Sequence, residues 1–145
     1  MVDFYNTKII AVANQKGGVG KTTSSVNIAA YLAISETPTL LIDMDPQGNA
    51  TTGVGVSVGT YKNSIYDLII GKKDVKKTII NTELKYLDII PSSGKLVGAE
   101  VELVNQYARE KFLKEGLENV LGKYKFIIID SPPSLGLLTL NVLTA

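Results

Sequence analysis

The chain has 145 residues, 45% of them apolar and 20% charged, with fifteen Lys and Arg against fourteen Asp and Glu for a net charge of +1. One domain of that length buries roughly two-thirds of its unfolded surface; the composition excludes disordered and fibrous classes, and the near-neutral balance offers no chain-wide basic field for nucleic acid. Cysteine and histidine are both absent, which removes disulfides, thiolate metal centres, iron–sulfur clusters, cysteine nucleophiles and the usual general base, so any catalysis rests on carboxylates, lysines, hydroxyls or backbone dipoles.

The opening MVDFYNTKII holds an acid and no long apolar run. It reads as neither a signal peptide nor a membrane span, and a cytoplasmic protein is the default expectation. Lys8 to Asn14 (KIIAVAN) is a β-rich run that stops at a glycine-rich segment, the pattern of a strand buried on both faces. Thr22 to Ile34 then puts Val26, Ala29, Ala30 and Ala33 at helical spacing, and Thr39 to Asp43 (TLLID) is a second buried strand that ends in a carboxylate. Together these make a βαβ unit with parallel strands and a right-handed crossover.

Pro46 to Asn63 is rich in glycine, threonine and serine and reads as an irregular loop able to move. Short amphipathic helices are expected over Ser64 to Ile70 and Val75 to Ile80, and a third strand over Leu87 to Pro91. Leu96 to Leu121 is helical in pattern, in two pieces joined near Gln106 to Arg109, with Gly122 as the stop. Lys125 to Asp130 (KFIIID) is the clearest strand; Pro132 and Pro133 end it, and Ser134 is expected to cap a final helix still running at Ala145, so the chain reads as cut there. The expected architecture is an α/β P-loop NTPase fold, a mostly parallel sheet with helices on both faces.

The strongest chemical signal is Lys16-Gly17-Gly18-Val19-Gly20-Lys21-Thr22-Thr23, set between the first strand and the first helix. Glycines let the backbone curl until several N–H groups point inward at phosphate oxygens, and the helix N-terminus adds a favourable dipole. Lys21 supplies a mobile positive charge for the β and γ phosphates of ATP, and the Thr22 hydroxyl is placed to ligate Mg²⁺. A bare glycine turn that starts a helix is the plain alternative, and both flanking contexts weigh against it.

Two acidic positions follow. Asp43 and Asp45 stand one residue apart at the end of the second strand, directly before Pro46. A strand in such a sheet delivers its carboxyl-end groups to the crevice where ligand binds, although two carboxylates capping a loop would look the same in sequence. Asp130 closes the run FIIID in the form of a Walker B element, an apolar strand that buries itself and holds one carboxylate near Mg²⁺. The cluster Lys72, Lys73, Lys76 and Lys77 has no aromatic residues between its lysines and reads as a solvated face.

The string KGGVGKTT, with Gln15 where the general phosphate-loop pattern has its first glycine, resembles the deviant Walker A motif of the MinD/ParA group. LLIDMDPQGNAT, DSPPS and IIPSSGKLVGAEVEL over 89–103 are similar to ParA/Soj partition ATPases specifically. The resemblance covers essentially the whole chain and identifies 1–145 as the N-terminal portion of a single P-loop ATPase domain, truncated relative to the family. It implies Mg²⁺-dependent hydrolysis of ATP to ADP in an ATP-sandwiched homodimer, with Lys16 reaching the partner's phosphates. It implies Asp45 for water positioning or proton acceptance and Asp43 for support of the magnesium shell. It further implies non-specific DNA held through the missing half, a centromere-binding ParB/Spo0J-like partner, and a nucleoid-associated place in the cytoplasm without a membrane. A MinD-like membrane-associated ATPase would need a basic amphipathic C-terminal helix, which the sequence lacks; a non-catalytic nucleotide-binding or interaction module remains the alternative from another class.

Overall fold

The computed structural model describes residues 4–145; Met1–Asp3, part of the N-terminal segment considered above, lie outside the described residues. Among these residues five strands form one sheet: β1 (Lys8–Val12), β2 (Thr39–Asp43), β3 (Ile80–Asn81), β4 (Leu87–Ile90) and β5 (Phe126–Asp130), in the order β1-β5-β2-β4-β3. All pairings are parallel except β3 with β4. The central strand β2 is buried along its whole length, and its alternation serves two cores, because successive side chains of a strand point to opposite faces.

On one face Leu40 and Ile42 join Ile127 and Ile129 of β5 beneath the helices α3 (Ile65–Ile69), α4 (Leu96–Leu103), α5 (Phe112–Leu117) and α6 (Leu137–Thr144). On the other, Leu41, Ile89 and Ile128 meet Ala29 and Ala33 of α1 (Lys21–Ile34) and Ala50 of α2 (Asn49–Gly53). The small alanines let α1 lie close over β2 and β5, as the helical spacing of the sequence requires.

The N-terminal ends of β4 and β5 and the C-terminal end of antiparallel β3 are tied by a polar cluster. Tyr124, just before β5, donates its hydroxyl to Asp88 Oδ2 at 2.6 Å, while Asn81 Nδ2 donates to Asp88 Oδ1 at 2.6 Å. Burial first, and then the bond to Asp88, push the Tyr124 phenol well above the ordinary tyrosine range.

The structure departs from the sequence expectations at several places. β1 is an edge strand paired only with β5 among the described residues; Lys8, Ile10 and Ala11 are exposed, so it is not buried on both faces, and it ends at Val12. The Pro46–Asn63 stretch contains the short helix α2, held because Ala50 and Thr51 are fully buried. Val75 to Ile80 gives only a 3₁₀ turn over Val75–Lys77, where the Asp74 side chain accepts from the Lys76 N–H, before β-branched Ile80 enters β3.

Ser134 does not cap α6. That helix starts after Gly136, and the Glu100 carboxylate of α4 accepts the Leu138 N–H at 3.2 Å instead. Lys72, Lys73, Lys76 and Lys77 are all exposed, with Lys72 resting 5.7 Å over the Tyr66 ring. No helix among the described residues is long and apolar enough to cross a membrane.

Candidate nucleotide-binding site

The parallel pairing brings three strand ends level, with Asp130 in register with Val12 on one side and Asp43 on the other. The segment from β1 to α1 therefore arcs over the carboxyl end of the sheet. Gly18 (φ 68°) and Gly20 (φ 87°) both adopt the left-handed conformation, and Gly20 is the N-cap of α1 with no side-chain cap. That geometry leaves the first helical N–H groups without intrahelical partners, aimed outward beside the positive end of the helix dipole.

A pocket of about 320 Å³ opens there, lined by Gly17, Gly18, Gly20, Lys21, Thr22 and Thr23 of the loop and helix, by Asp45, Gln47 and Asn49 after β2, and by Pro133 after β5. A larger apolar hollow of about 550 Å³ follows the exposed side of α1 from Thr23 to Ser35, but no charged residue lines it.

Beneath the pocket, Asp130 is fully buried and held by two hydroxyls of α1: Thr22 Oγ1 donates to Oδ2 at 2.7 Å, and Ser25 Oγ donates to Oδ1 at 2.7 Å. Burial raises the Asp130 pKa above the ordinary carboxylate value, and these two hydrogen bonds work against the rise. Lys21 Nζ folds back to the Lys16 carbonyl at 3.1 Å, and the Lys16 N–H is held by Asn14 Oδ1 at 2.9 Å. The Ser131 hydroxyl, next to Asp130, is the one buried side-chain polar atom without a partner among the described residues.

The two acids after β2 play different geometric parts. Asp45 lines the pocket, and its Oδ1 accepts the Gln47 N–H at 2.9 Å. Asp43 does not line it. It is fully buried, its Oδ2 accepts both the N–H and the hydroxyl of Thr51 at 2.7 Å, and its Oδ1 accepts the Asp45 N–H at 3.1 Å. Burial pushes Asp43 up to about 6 despite those donors.

The structure thus gathers Gly17, Gly18, Gly20, Lys21, Thr22, Thr23 and Asp45 around one cavity, with Asp130 directly under Thr22. Lys16 and Val19 are exposed and are not among the lining residues, and Asp43 sits behind Asp45. Sequence reasoning missed Ser25, although one helical turn after Thr22 is where a second ligand to the same carboxylate must lie. Thr51, Ser92 and Tyr61 were missed as well, and only the tertiary fold brings them near Asp45.

A glycine cradle at a helix N-terminus, over a parallel sheet whose central strands deliver carboxylates to it, defines an α/β P-loop nucleoside-triphosphatase fold. Residues 7–145 match AAA_31, described as an AAA domain, and the chain belongs to that family.

The chain is 51% identical over 138 residues to the chromosome partitioning protein ParA of Myxococcus xanthus, covering 95% of this chain and 49% of that protein. It is 53% identical over 138 residues to the sporulation initiation inhibitor protein Soj of Bacillus subtilis, covering 95% and 54%. Among solved structures, cobyrinic acid a,c-diamide synthase from Mycobacterium smegmatis with bound ATP analog and magnesium superimposes with a TM-score of 0.92 at 40% identity, covering 96% of this chain and 57% of that one. The chain spans about half the length of the curated relatives it matches, their N-terminal part.

Proposed function

We propose that the protein binds ATP with Mg²⁺ in this pocket and hydrolyses it to ADP and phosphate, as a nucleotide-switched partition ATPase of the ParA/Soj kind. The observation that carries the reading is the convergence of the glycine cradle, Lys21, the Thr22–Asp130 pair and Asp45 on one cavity. Support comes also from the similarity to ParA and Soj over 95% of the chain.

The donor set fits a magnesium nucleotide. Thr22 commits its proton to Asp130, so its remaining capacity toward the pocket is lone pairs, the form a hard cation takes. Magnesium at such a site keeps several waters and relies on phosphate oxygens rather than an all-protein cage. When bound, the ion neutralises charge developing on the transferred phosphoryl group.

The chain's own residues do the rest. The amides of residues 17 to 22 cradle the phosphates, Lys21 leaves the Lys16 carbonyl to meet them, and Asp130 fixes the Thr22 oxygen. Asp45 orients the attacking water or takes its proton, and Asp43 supports the magnesium shell indirectly through the backbone it holds. Exposed Lys16 serves the second subunit of an ATP-bound dimer, where a cation on the γ phosphate makes hydrolysis depend on association.

In this reading residues 1–145 are the N-terminal portion of one ATPase domain. The ATP-bound dimer grips non-specific DNA through the remaining portion, a ParB/Spo0J-like centromere-binding protein accelerates hydrolysis, and the work is done at the nucleoid in the cytoplasm.

The test is ATP turnover by the full-length protein, with and without DNA and the partner. Loss of nucleotide binding in Lys21→Ala, together with stimulated turnover in the unaltered protein, is the expected result. A protein that binds no adenine nucleotide, or binds it equally well after Lys21→Ala, rules the reading out.

A further inference from the structure

Ser92, one residue past the end of the Leu87 to Pro91 segment, is fully buried, and every polar group it owns is used. Its N–H donates to Thr51 Oγ1 at 3.0 Å, its hydroxyl donates to the carbonyl of Asp45, and its own carbonyl accepts the Tyr61 hydroxyl. Thr51 in turn donates its hydroxyl to Asp43, whose other oxygen accepts the Asp45 N–H. Both backbone polar groups of Asp45 are therefore held by side chains, the N–H by Asp43 and the carbonyl by Ser92.

The same Asp45 carbonyl also closes a tight turn by accepting the Gly48 N–H at 2.9 Å. Asp at the first position, Pro46 at the second and Gly48 at the fourth are the residues a hydrogen-bonded turn favours. Gly48 (φ 68°) stands close to the cluster, since a Cβ there would lie 3.0 Å from Val58 Cγ2 and 4.0 Å from Ser92 Cβ. Ser92 thus joins three segments, the turn 45–48, helix α2 through Thr51, and the glycine-rich stretch through Tyr61, to the end of β4.

We propose that Ser92 is a positioning residue for Asp45: its hydroxyl fixes the depth at which the Asp45 turn enters the pocket, and so the place where the carboxylate meets the reacting water. Ser92 does not itself line the pocket and reaches it through Asp45. A misplacement of about 1 Å in such a group costs about 100-fold in rate, while the phosphate cradle, built from residues 17 to 23, is left alone. The proposal rests on the ATP-hydrolysis reading above.

The test uses Ser92→Ala in the full-length protein. The Asp45 carbonyl keeps the Gly48 N–H and Thr51 keeps the residue-92 amide, so no buried group is stranded and the variant folds. The expected result is a fall in kcat of about 10- to 100-fold with ADP affinity within about twofold of the unaltered protein. In nucleotide-free protein, amide exchange at Gln47 and Gly48 speeds about tenfold, as expected when one restraint on the turn is lost. Tyr61→Phe, which leaves the Ser92 hydroxyl in place, gives a smaller fall in kcat.

Unchanged kcat, unchanged exchange at 47 and 48, or kcat and ADP affinity falling together would each overturn the positioning role. An unaltered protein that binds nucleotide but never hydrolyses it removes the ATPase reading and this proposal together. Turnover that is indifferent to Ser92→Ala removes this one alone.

Discussion

Thr22 Oγ1 donates to Asp130 Oδ2 at 2.7 Å, joining the first turn of α1 to the end of β5 across 108 residues of chain. The bond orients the hydroxyl and spends its proton on the carboxylate, so the oxygen's lone pairs are what the pocket receives. In the proposed reading Thr22 is a magnesium ligand, and loss of the partner that orients a metal ligand typically costs about 10- to 100-fold in affinity.

Asp130→Asn should therefore weaken magnesium-dependent nucleotide binding by about 10- to 100-fold and leave binding in EDTA almost unaltered. Calorimetric titration with ADP, in magnesium and in chelator, reads the two separately. Equal losses in both buffers would mean that Asp130 supports the cradle rather than the ion.

Lys16 and Lys21 should separate cleanly. Lys21 lines the pocket, whereas Lys16 is exposed outside it. Lys16→Ala is expected to keep ATP binding within a few-fold and to lose turnover by about 10³-fold, the scale of a cation supplied from a second subunit. Single-turnover kinetics over a range of protein concentrations would expose the defect. Retained turnover would return Lys16 to the status of a solvated loop lysine.

Asp43 should leave a mark on stability against pH. Its pKa is about 6 in the fold against the ordinary 3.8, so the folded state prefers the protonated form. Its contribution to stability is complete below the ordinary value and is lost as pH rises through about 6. By pH 7 ionised Asp43 costs the fold about 3 kcal/mol relative to acid conditions, from a pKa difference of about two. Urea unfolding of the unaltered protein and Asp43→Asn from pH 4 to 7 should show the variant gaining relative stability as pH rises. Parallel curves would contradict the assignment.

Gly20→Ala isolates the backbone requirement of the loop. An added Cβ meets nothing within 4 Å, yet φ is 87°, so the cost is conformational rather than steric contact, about 1–2 kcal/mol. For a domain of this size that lowers Tm by about 2–8 °C. A differential scanning trace without nucleotide is sufficient to see it, and an unshifted Tm would indicate a loop that relaxes freely to another conformation.

The parts of this molecule that are local in sequence were legible there. β2 and β5 announce themselves as apolar runs ending in Asp43 and Asp130, and the glycine-rich loop announces a backbone able to curl, which the structure realises with positive φ at Gly18 and Gly20. What escaped depends on tertiary placement. β1 has the composition of a buried strand, yet whether an apolar run is covered depends on its neighbours in the sheet. Ile80 joins β3 because β4 offers an edge for it, and helical spacing over Val75–Ile80 holds no trace of that. The Ser92 hydroxyl finds Asp45 from 47 positions away, and Glu100 replaces Ser134 at the start of α6 from 38 positions away.

The knot of Tyr124, Asp88 and Asn81 lies at the pole of the sheet opposite the cradle. It fastens β5, β4 and β3 to one another there by side chains, as Thr22, Ser25, Thr51 and Ser92 fasten the carboxyl ends of β5, β2 and β4, so the sheet is pinned at both poles.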